Sequence, residues 1–478
     1  MLPLFVLFSQ NEDEERLEDN RSSFGFGNDS TETKAGPAFS IGGEISLKLL
    51  FFTDTFGSSD KFFNMEAGDI FEGKLNFSVQ SKAADGIINL KIKPDFSGNS
   101  PISIDEAFLR VYLGPVDIEG GLRKLTWGRA DSFGPLDVVN PLDFTDLSAM
   151  NNPREIKLAR PMLHASWNIN SFSKLEGVFV PWFAGNEYAL SGRWAPVQVT
   201  GFAPSLVEGL KTEFGSILSF GNLGSELDTW LNNFDLLSMY SNSNKTLEYA
   251  QGGLRFTTTI GSSDFGVQYY FGRFPRPAYS VDLSLFLLPL LGTPPFFFNR
   301  NNIAVSINNN NYHHIGMDYA QVIAGFNLRA EAGANITNDL AGDDGSVYNP
   351  QLVWSLGFDR DIVSGINLNL QANGLIRLMY DKIGKNPMVI DTESFNDRTS
   401  TRVTAILSKK FFQDELELKA TVLWGIEDKD FLVIPALLWA KNDITAELSY
   451  GIFGGNKTGE LGQYRDNSYI KAMLTWKF

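Results

Sequence analysis

The sequence predicts an all-β fold, a transmembrane antiparallel up-and-down β-barrel of about eighteen strands with short helices in one long loop. Three observations predict it. Apolar and polar residues alternate along many segments, most of these segments are about ten residues or longer, and short links alternate with long ones. Strands of globular proteins have usually about five or six residues, whereas a tilted strand that crosses a bilayer needs about nine to eleven.

Composition narrows the function classes. The 478 residues include no Cys and three His, and the formal net charge is −16. The absence of Cys excludes a disulfide scaffold, a thiolate metal site and a cysteine nucleophile. The acidic balance argues against a nucleic-acid partner, which would select basic clusters. The 39 Phe and 44 Gly, with mean hydropathy close to zero, suit a sheet that faces two different solvents.

The amino end differs from the remainder of the chain. Residues 1–8 form an apolar run without a basic flank, followed by Ser9 and Gln10. This pattern indicates that residues 1–10 are a remnant signal segment; a short disordered apolar end is the alternative. Residues 11–38 are polar and acidic and are expected to be a flexible periplasmic leader. The barrel is predicted over 39–478. No run of about 20 apolar residues is present, because Asp282 and several prolines interrupt the best candidate, 281–298.

The alternation is clearest in three segments, Ile366–Ala372, Glu415–Trp424 and Ile470–Phe478. A helix would need its apolar residues three and four positions apart, so these segments are predicted strands. The predicted strands are 39–54, 68–81, 86–96, 102–113, 116–128, 159–170, 173–183, 248–260, 264–274, 312–321, 323–335, 350–360, 364–380, 397–410, 414–426, 430–440, 443–453 and 466–478.

The links between these strands are short after every even-numbered strand, whereas most of the others are long. Short turns at one rim and long loops at the other are typical of a membrane barrel, and a sandwich has no reason to show them. Ala189–Thr200 also resembles a strand, but including it would place the long 184–247 segment on the short-turn side. It is therefore assigned to that loop.

Two long loops carry their own patterns. In 184–247, Ser205 with Glu208 and Ser225 with Asp228 resemble capping boxes, which predicts two short helices. These helices are expected to cap the barrel mouth, to enter the lumen, or to pack on their own loop. The apolar loop 281–298 predicts either a binding or membrane-contact surface or packing on the first loop.

Two further stretches resemble a known family. The chain ends in Phe478 after an alternating strand that contains Trp476, which resembles the carboxy-terminal signature that the barrel-assembly machinery recognises. Gly121–Gly128, Leu136–Asp143 and Arg160–Met162 are similar to a strand–loop–strand pattern of Gram-negative outer-membrane porin-like barrels of largely uncharacterised function. That family has Arg-x-Pro where Arg160 here directly precedes Pro161.

The resemblance implies an outer-membrane channel or porin-like transporter for passive diffusion of small solutes, with outer-membrane lipid as its surroundings. Loops 129–158 and 184–247 are expected to narrow the lumen. A barrel hydrolase acting on lipid or glycan, and a surface-exposed structural or adhesive barrel, are the alternatives. The apolar loop 275–311 adds the hypothesis of an apolar cargo. The cargo, the ion selectivity and the oligomeric state are left open.

If the apolar parity meets lipid, the opposite parity lines the lumen, where basic and acidic residues nearly balance. The residues expected to line the lumen or its constriction are Arg110, Arg123, Arg129, Arg160, Arg377, Glu106, Glu119 and His164. In the loop, Asp137, Asp143 and Asp146 are matched in number by Arg129, Arg154 and Arg160, which predicts ion pairs that hold the loop against the wall. A solvated loop with surface ion pairs that contribute little stability is the alternative. No catalytic constellation, metal site or cofactor fingerprint is found, and the chain is predicted not to be an enzyme.

Overall fold

The computed structural model describes residues 37–55, 71–93, 102–131, 134–150, 153–196, 221–233, 243–386, 388–394 and 396–478. The predicted signal segment and nearly all of the predicted leader lie outside these ranges. The described chain forms one closed sheet of 18 antiparallel strands, together with smaller strand pairings in the loops. The predicted fold class and strand number are confirmed.

The barrel strands follow one another in chain order. They are β1 Ala38–Phe52, β2 Phe71–Gln80, β3 Ala84–Ile92, β4 Ile102–Leu113, β5 Val116–Arg123, β6 Arg160–Asn168, β7 Ser173–Val180, β8 Gln251–Ile260, β9 Ser263–Arg273, β10 Asn311–Ile323, β11 Phe326–Thr337, β12 Gln351–Val363, β13 Ile366–Arg377, β14 Thr399–Phe411, β15 Leu416–Gly425, β16 Asp430–Lys441, β17 Ile444–Gly455 and β18 Tyr469–Lys477. Each strand pairs with the next, and β1 closes the ring on β18.

The closing seam keeps the same alternation as the remainder of the wall. Leu47 of β1 lies opposite Leu474 of β18 on the outer face. Ser46 and Thr475 meet on the inner face, where their hydroxyl oxygens are 2.8 Å apart. A closed barrel leaves no strand edge unpaired, and this is the condition for crossing a bilayer with strands.

Short turns occupy one rim of the barrel. Two-residue turns such as Ala324–Gly325 and Ser364–Gly365 have positive φ at both positions, which is the twist that a tight hairpin requires. The other rim carries the long loops, and both ends of the barrel lie at the short-turn rim. The predicted alternation of short and long links is therefore confirmed.

The outer face of the wall is apolar. Large side chains such as Leu109, Val267, Met317 and Leu448 are exposed there, which in a closed barrel provides a lipid-facing belt. Aromatic side chains of this face lie near both rims: Trp167, Trp439 and Trp476 near the short turns, and Phe179, Trp424 and Phe431 near the long loops.

The structure corrects one strand boundary that matters for the site. β5 ends at Arg123, not at residue 128 as predicted. Beyond Arg123 the backbone pairs with side chains instead of with a neighbouring strand. Lys124 N donates to Glu106 Oε1 at 2.8 Å and Leu125 N donates to Asn140 Oδ1 at 2.8 Å, so the chain leaves the wall and turns inward.

Three short α-helices lie in the described parts of the loops: α1 Pro153–Ile156, α2 Leu223–Asn232 and α3 Ser284–Leu287. The predicted helix after Ser205 lies outside the described residues. The Ser225–Asp228 pattern does mark a helix, but the predicted capping box is wrong because α2 begins at Leu223 and the Ser225 hydroxyl donates to Asn222 O at 3.0 Å. Among the described residues, no helix is both long enough and apolar enough to cross a membrane.

α2 packs on the neighbouring long loop. Leu223 and Leu227 are buried against Phe286, Leu287 and Phe298 of the loop between β9 and β10. Packing between the two long loops, one of the two expectations for 281–298, is therefore observed. Leu285, Leu288, Leu291 and Phe297 of the same loop stay exposed, so an apolar surface is present as well.

Candidate functional site in the barrel lumen

Residues 124–159, which link β5 to β6, cross the inside of the barrel, and we call them the constriction loop. On one side the loop contacts the inner faces of β9 to β13, and on the other side those of β1, β2, β3 and β18. These strands lie on opposite sides of the ring of pairings. The constriction loop therefore crosses the lumen between the two rims of the barrel.

Its first attachment is to a single carboxylate of β11. Glu331 Oε1 accepts hydrogen bonds from the backbone N–H groups of Arg129 and Ala130, the latter at 2.7 Å, and Oε2 accepts from Leu136 N at 3.3 Å. The Arg129 guanidinium continues to Asp318 of β10, with 2.8 Å between Nε and Oδ1. Hydrogen bonds that a carboxylate accepts are strong ones. The bonds to Glu331 therefore fix the position of the loop along the barrel axis.

The next residue of the loop extends the contact around the wall. Asp131 forms an ion pair with Arg329 of β11 and accepts from Asn369 Nδ2 of β13 at 2.8 Å. Its backbone N donates to Gln371 Oε1 at 3.2 Å. Burial raises the pKa of Asp131, although the Arg329 guanidinium opposes this shift.

The far end of the loop is attached by lysines of the opposite wall. Lys48 of β1 lies 2.7 Å from Asp146, and Lys74 and Lys91 both contact the Glu155 carboxylate. Burial alone would raise the pKa of Glu155, but the two ammonium groups lower it to about 2. The carboxylate is therefore ionised at any pH at which the protein works.

Apolar packing also holds this end of the loop. Phe144, Leu147, Met150 and Ile156 are buried against inward-facing side chains of β14 to β18. Trp194, which belongs to the loop between β7 and β8, joins the same cluster. The inward-facing partners in the wall are Ile406, Leu423, Leu432, Ile434, Phe453 and Tyr469. One sector of the lumen wall, β14 to β18, thus carries an apolar patch on its inner face, which the sequence pattern did not predict.

The long loop between β7 and β8 lies above the constriction loop. Tyr188 stacks on Phe144, with 5.5 Å between ring centroids, and Glu187–Tyr188 pairs in parallel with Asp143–Phe144. Asn467 Nδ2 donates to Arg193 O at 2.5 Å. No barrel strand occurs in residues 189–196, so the assignment of this segment to a loop is confirmed for its described part.

Four of the predicted lumen residues meet on β4, β5 and β6. Glu119 contacts Arg110 at 2.6 Å, Arg123 at 2.5 Å and His164 at 3.2 Å. His164 Nε2 lies 3.4 Å from Glu176 of β7, so the imidazole bridges two carboxylates. Glu106 lies beside this group and accepts from the backbone of the constriction loop.

The remaining predicted lumen residues anchor loops. Arg129 belongs to the constriction loop itself. Arg160 donates to the carbonyl oxygens of Val139, at 3.2 Å, and Trp182, at 2.8 Å. Arg377 is 1% exposed and pairs with Glu393 of the loop between β13 and β14, with 3.0 Å between Nε and Oε1.

The ion pairs that hold the constriction loop differ from those expected. Asp137 pairs with Lys157 inside the loop, Asp146 pairs with Lys48 of the wall, and Asp143 accepts from Thr145. Of the arginines expected opposite them, Arg129 faces the wall carboxylate of Asp318 and Arg160 faces backbone carbonyl oxygens, and the side chain of Arg154 lies outside the described part of the chain. Attachment by charge was predicted correctly, but the partners were wrong. Lys157 and Thr145 belong to the loop itself, and Lys48 comes from a strand distant in sequence.

Sequence reasoning missed Asp131, Asp318 and Gln268 and did not single out Glu331 among the inward-facing charges. A signal was available in the same strands. Gly316 and Gly333 occupy inward positions of β10 and β11 and pair with each other across the two strands. Glycine at inward positions indicates that another part of the chain approaches the wall closely.

Nothing in the described contacts assembles a reaction centre. His164 is flanked by carboxylates, and the described residues contain no group of three His, Cys, Asp or Glu side chains placed to hold a metal ion. The outer loops enclose a cavity of about 540 Å³ that Ser280, Asp282, Asp343, Lys382 and Asp391 help to line. Its carboxylates cap neighbouring backbone N–H groups, as Asp391 does for Glu393 at 2.8 Å.

No protein-family model and no curated protein matches the chain. Solved structures with a similar course include a BenF-like porin from Pseudomonas fluorescens Pf-5, with 8% identity, 92% of this chain and 98% of that chain covered, and a TM-score of 0.47. Pseudomonas aeruginosa OccK3 (OpdO) has 7% identity, covers 92% and 95%, and has a TM-score of 0.48. Acinetobacter baumannii OccAB4 has 8% identity, covers 93% and 98%, and has a TM-score of 0.46.

The strand pairing and the side-chain orientation of this chain define its architecture. A closed ring of 18 antiparallel strands, with an apolar outer belt, aromatic side chains at both rims and polar side chains inside, is the architecture of a bacterial outer-membrane barrel. The resemblance to porin-like barrels that the sequence carries is confirmed at the level of the fold.

Proposed function

We propose that the protein is an outer-membrane channel through which small solutes diffuse passively and whose lumen the constriction loop narrows. The observation that supports this proposal most is the loop that crosses the barrel between charged inner walls. Porin-type selection of solutes depends on the cross-section and on the charges that line it. Both are determined here by contacts between the loop and strands on opposite sides of the ring.

The charges of the lumen favour weak selection between cations and anions. Most inward-facing basic side chains face a carboxylate at short distance, as Arg255 does with Asp318 at 2.7 Å and Lys471 with Glu447 at 2.9 Å. Paired charges cancel at the distance of a passing ion. We therefore expect a reversal potential close to zero across a salt gradient. We also expect the cargo to be small and polar.

Planar bilayers and liposome swelling test the proposal. Folded protein is expected to give stepwise ion conductance and to admit small sugars faster than larger ones. Well-folded protein that gives neither conductance nor swelling would contradict the proposal. The alternatives, a hydrolase or an adhesive barrel, gain no support from any contact among the described residues.

We also propose that the carboxy-terminal aromatic residues are read by the barrel-assembly machinery. Phe478 N donates to Gly43 O and Gly43 N to Phe478 O, both at 2.9 Å, and the rings of Trp476 and Phe478 lie 5.2 Å apart on the outer face. Phe478→Ala retains these backbone bonds. It is expected to lower the amount of assembled barrel in cells but to leave refolding in detergent unchanged.

A further inference from the structure

A socket on the inner face of β9, β10 and β11 receives one side chain of the constriction loop. Leu136 is 0% exposed. A Cβ built on Gly316 would lie 2.5 Å from Leu136 Cδ2, and one built on Gly333 would lie 3.2 Å from it. The two glycines are cross-strand partners, so together they leave the space that the leucine fills. Gln268 Nε2 of β9 donates to Leu136 O at 2.7 Å.

The carboxylate of Glu331 closes this socket from the side of β11. Both of its oxygens point at backbone N–H groups of the loop, those of Arg129, Ala130 and Leu136. We call this set of contacts the clasp. Glu331 is 3% exposed, and a carboxylate so deeply buried is stable only when several donors satisfy its oxygens.

The sequence of the loop is adapted to the clasp at two glycines. Gly128 has φ +92, a conformation that side-chain-bearing residues rarely adopt, and a Cβ there would overlap Glu331 Oε1. Gly134 has ordinary backbone angles, yet a Cβ there would overlap Glu331 Oε2. The loop therefore wraps around the carboxylate closely enough to exclude a methyl group from either side.

From this geometry we infer that Glu331 is the positioning residue that holds the constriction loop across the lumen, and that loss of its carboxylate releases the backbone of the loop and widens the channel. The inference rests on the proposed function for its effect on conductance. The contacts on the opposite wall attach the far end of the loop. The clasp holds the backbone of Arg129, Ala130 and Leu136 on the inner face of β11, whereas the neighbouring ion pairs with Asp318 and Arg329 involve side chains of the loop. Releasing it alone is therefore expected to open the lumen without unfolding the barrel.

Glu331→Gln tests the clasp. A glutamine amide has one acceptor oxygen where the carboxylate has two, and its NH₂ group would face a backbone N–H. Single-channel conductance and the size limit in liposome swelling are both expected to increase. Trypsin cleavage after Arg129 is expected to accelerate about ten-fold, the equivalent of about 1.4 kcal/mol. Cleavage in the other loops and the unfolding midpoint of the barrel should not change.

Two further variants isolate the contact. Gly134→Ala adds a methyl group that would overlap both the Glu331 carboxylate and Ala130 Cβ, which is part of the clasp, and it should reproduce Glu331→Gln. The double variant should equal either single one, because both changes break the same contact. Glu415→Gln is the matched control, since Glu415 pairs with Lys441 at 3.1 Å on the short-turn rim, remote from the loop.

The two readouts separate the two claims. If no variant and no wild-type protein conducts, but cleavage after Arg129 accelerates in Glu331→Gln and Gly134→Ala, the proposed function fails and the clasp stands. If the proteins conduct and Glu331→Gln changes neither conductance nor cleavage, the clasp is overturned and the channel stands. Additive effects in the double variant would also overturn the clasp as a single contact.

Discussion

The two ends of the constriction loop are held by different physical means. Residues 129–131 and Leu136 are attached through hydrogen bonds and ion pairs to Glu331, Asp318 and Arg329. Residues 144–150 are attached mainly by burial of Phe144, Leu147 and Met150, and Lys48 pairs with Asp146 at the edge of this cluster. Hydrophobic burial is not directional, whereas a hydrogen bond fails when its partner moves by an ångström.

The two ends therefore contribute differently to the stability of the constriction loop and to its position in the lumen. Because several large apolar side chains are buried at the apolar end, we expect this end to contribute more to the stability of the docked loop. The polar end determines which backbone atoms face the passage. We therefore expect changes at the apolar end to alter stability first, and changes at the polar end to alter the dimensions of the passage with little loss of stability.

The largest effect is expected at the apolar end. Leu147 is 0% exposed, and Leu147→Ala removes its contacts and leaves a cavity, at a cost of about 2–5 kcal/mol. Trypsin should then cleave the loop on the side of residues 144–156 at lower urea concentration than in the wild type. Leu190→Ala, at a position 58% exposed, is the control and should change stability by less than about 0.5 kcal/mol. Equal effects of the two variants would show that the cluster does not hold the loop.

The sequence was sufficient for the barrel wall because the wall obeys a local rule. Lipid contacts every second residue, so the alternation in segments such as Glu415–Trp424 and the rhythm of the links predicted 18 strands and their order. The same rule placed Arg329 and Glu331 on the inner face. It failed at Leu423 and Leu432, whose inward side chains are apolar because the loop, and not water, covers them.

The contacts of the loop obey no local rule. Ala130 and Glu331 are 201 residues apart in sequence, and Asp131 and Asn369 are 238 apart. No periodicity relates such pairs, so the predicted partners of Asp137, Asp143 and Asp146 were wrong although the presence of ion pairs was right. Lys471 Nζ also donates to Ser148 O at 3.5 Å. Because the acceptor is a backbone atom, the pattern of side chains in the sequence does not predict this contact.

An intermediate effect is expected from pH, with opposite signs in two loops. Glu155 has a pKa lowered to about 2, so its attachment to Lys74 and Lys91 is complete above about pH 4.5 and is lost as the pH falls towards 2. Burial raises the pKa of Glu460 to about 8, although Arg402 opposes the shift. Because folded Glu460 binds a proton that the unfolded chain releases, the loop between β17 and β18 is most stable below about pH 4.5 and weakens as the pH rises to 8.

Hydrogen exchange of the two loops, corrected for the intrinsic rate, measures both trends. Protection of residues 456–468 should decrease from pH 5 to pH 8.5, and Glu460→Gln should remove this decrease. Protection near Glu155 should be constant over the same range. A parallel response of both loops would contradict the opposite shifts.

The smallest effect on stability is expected from a change in the apolar loop 281–298. Phe297 is 74% exposed, whereas Phe298 is 4% exposed and packs in the cluster with α2. Phe297→Ser should therefore leave stability unchanged, and under the hypothesis of an apolar cargo it should lower the uptake of an apolar solute but not of a sugar. Phe298→Ser is unsuitable for this test because it removes buried surface. Unchanged uptake in Phe297→Ser would exclude the hypothesis.

The most direct test that the constriction loop narrows the channel is single-channel conductance before and after removal of the loop. Residues 129–150 are replaced by a short flexible link, which leaves every barrel strand intact. A channel narrowed by this loop will show a conductance several times larger and a higher size limit in the shortened protein. Equal conductance in the two folded proteins would contradict the account, because the loop would then not determine the cross-section of the passage.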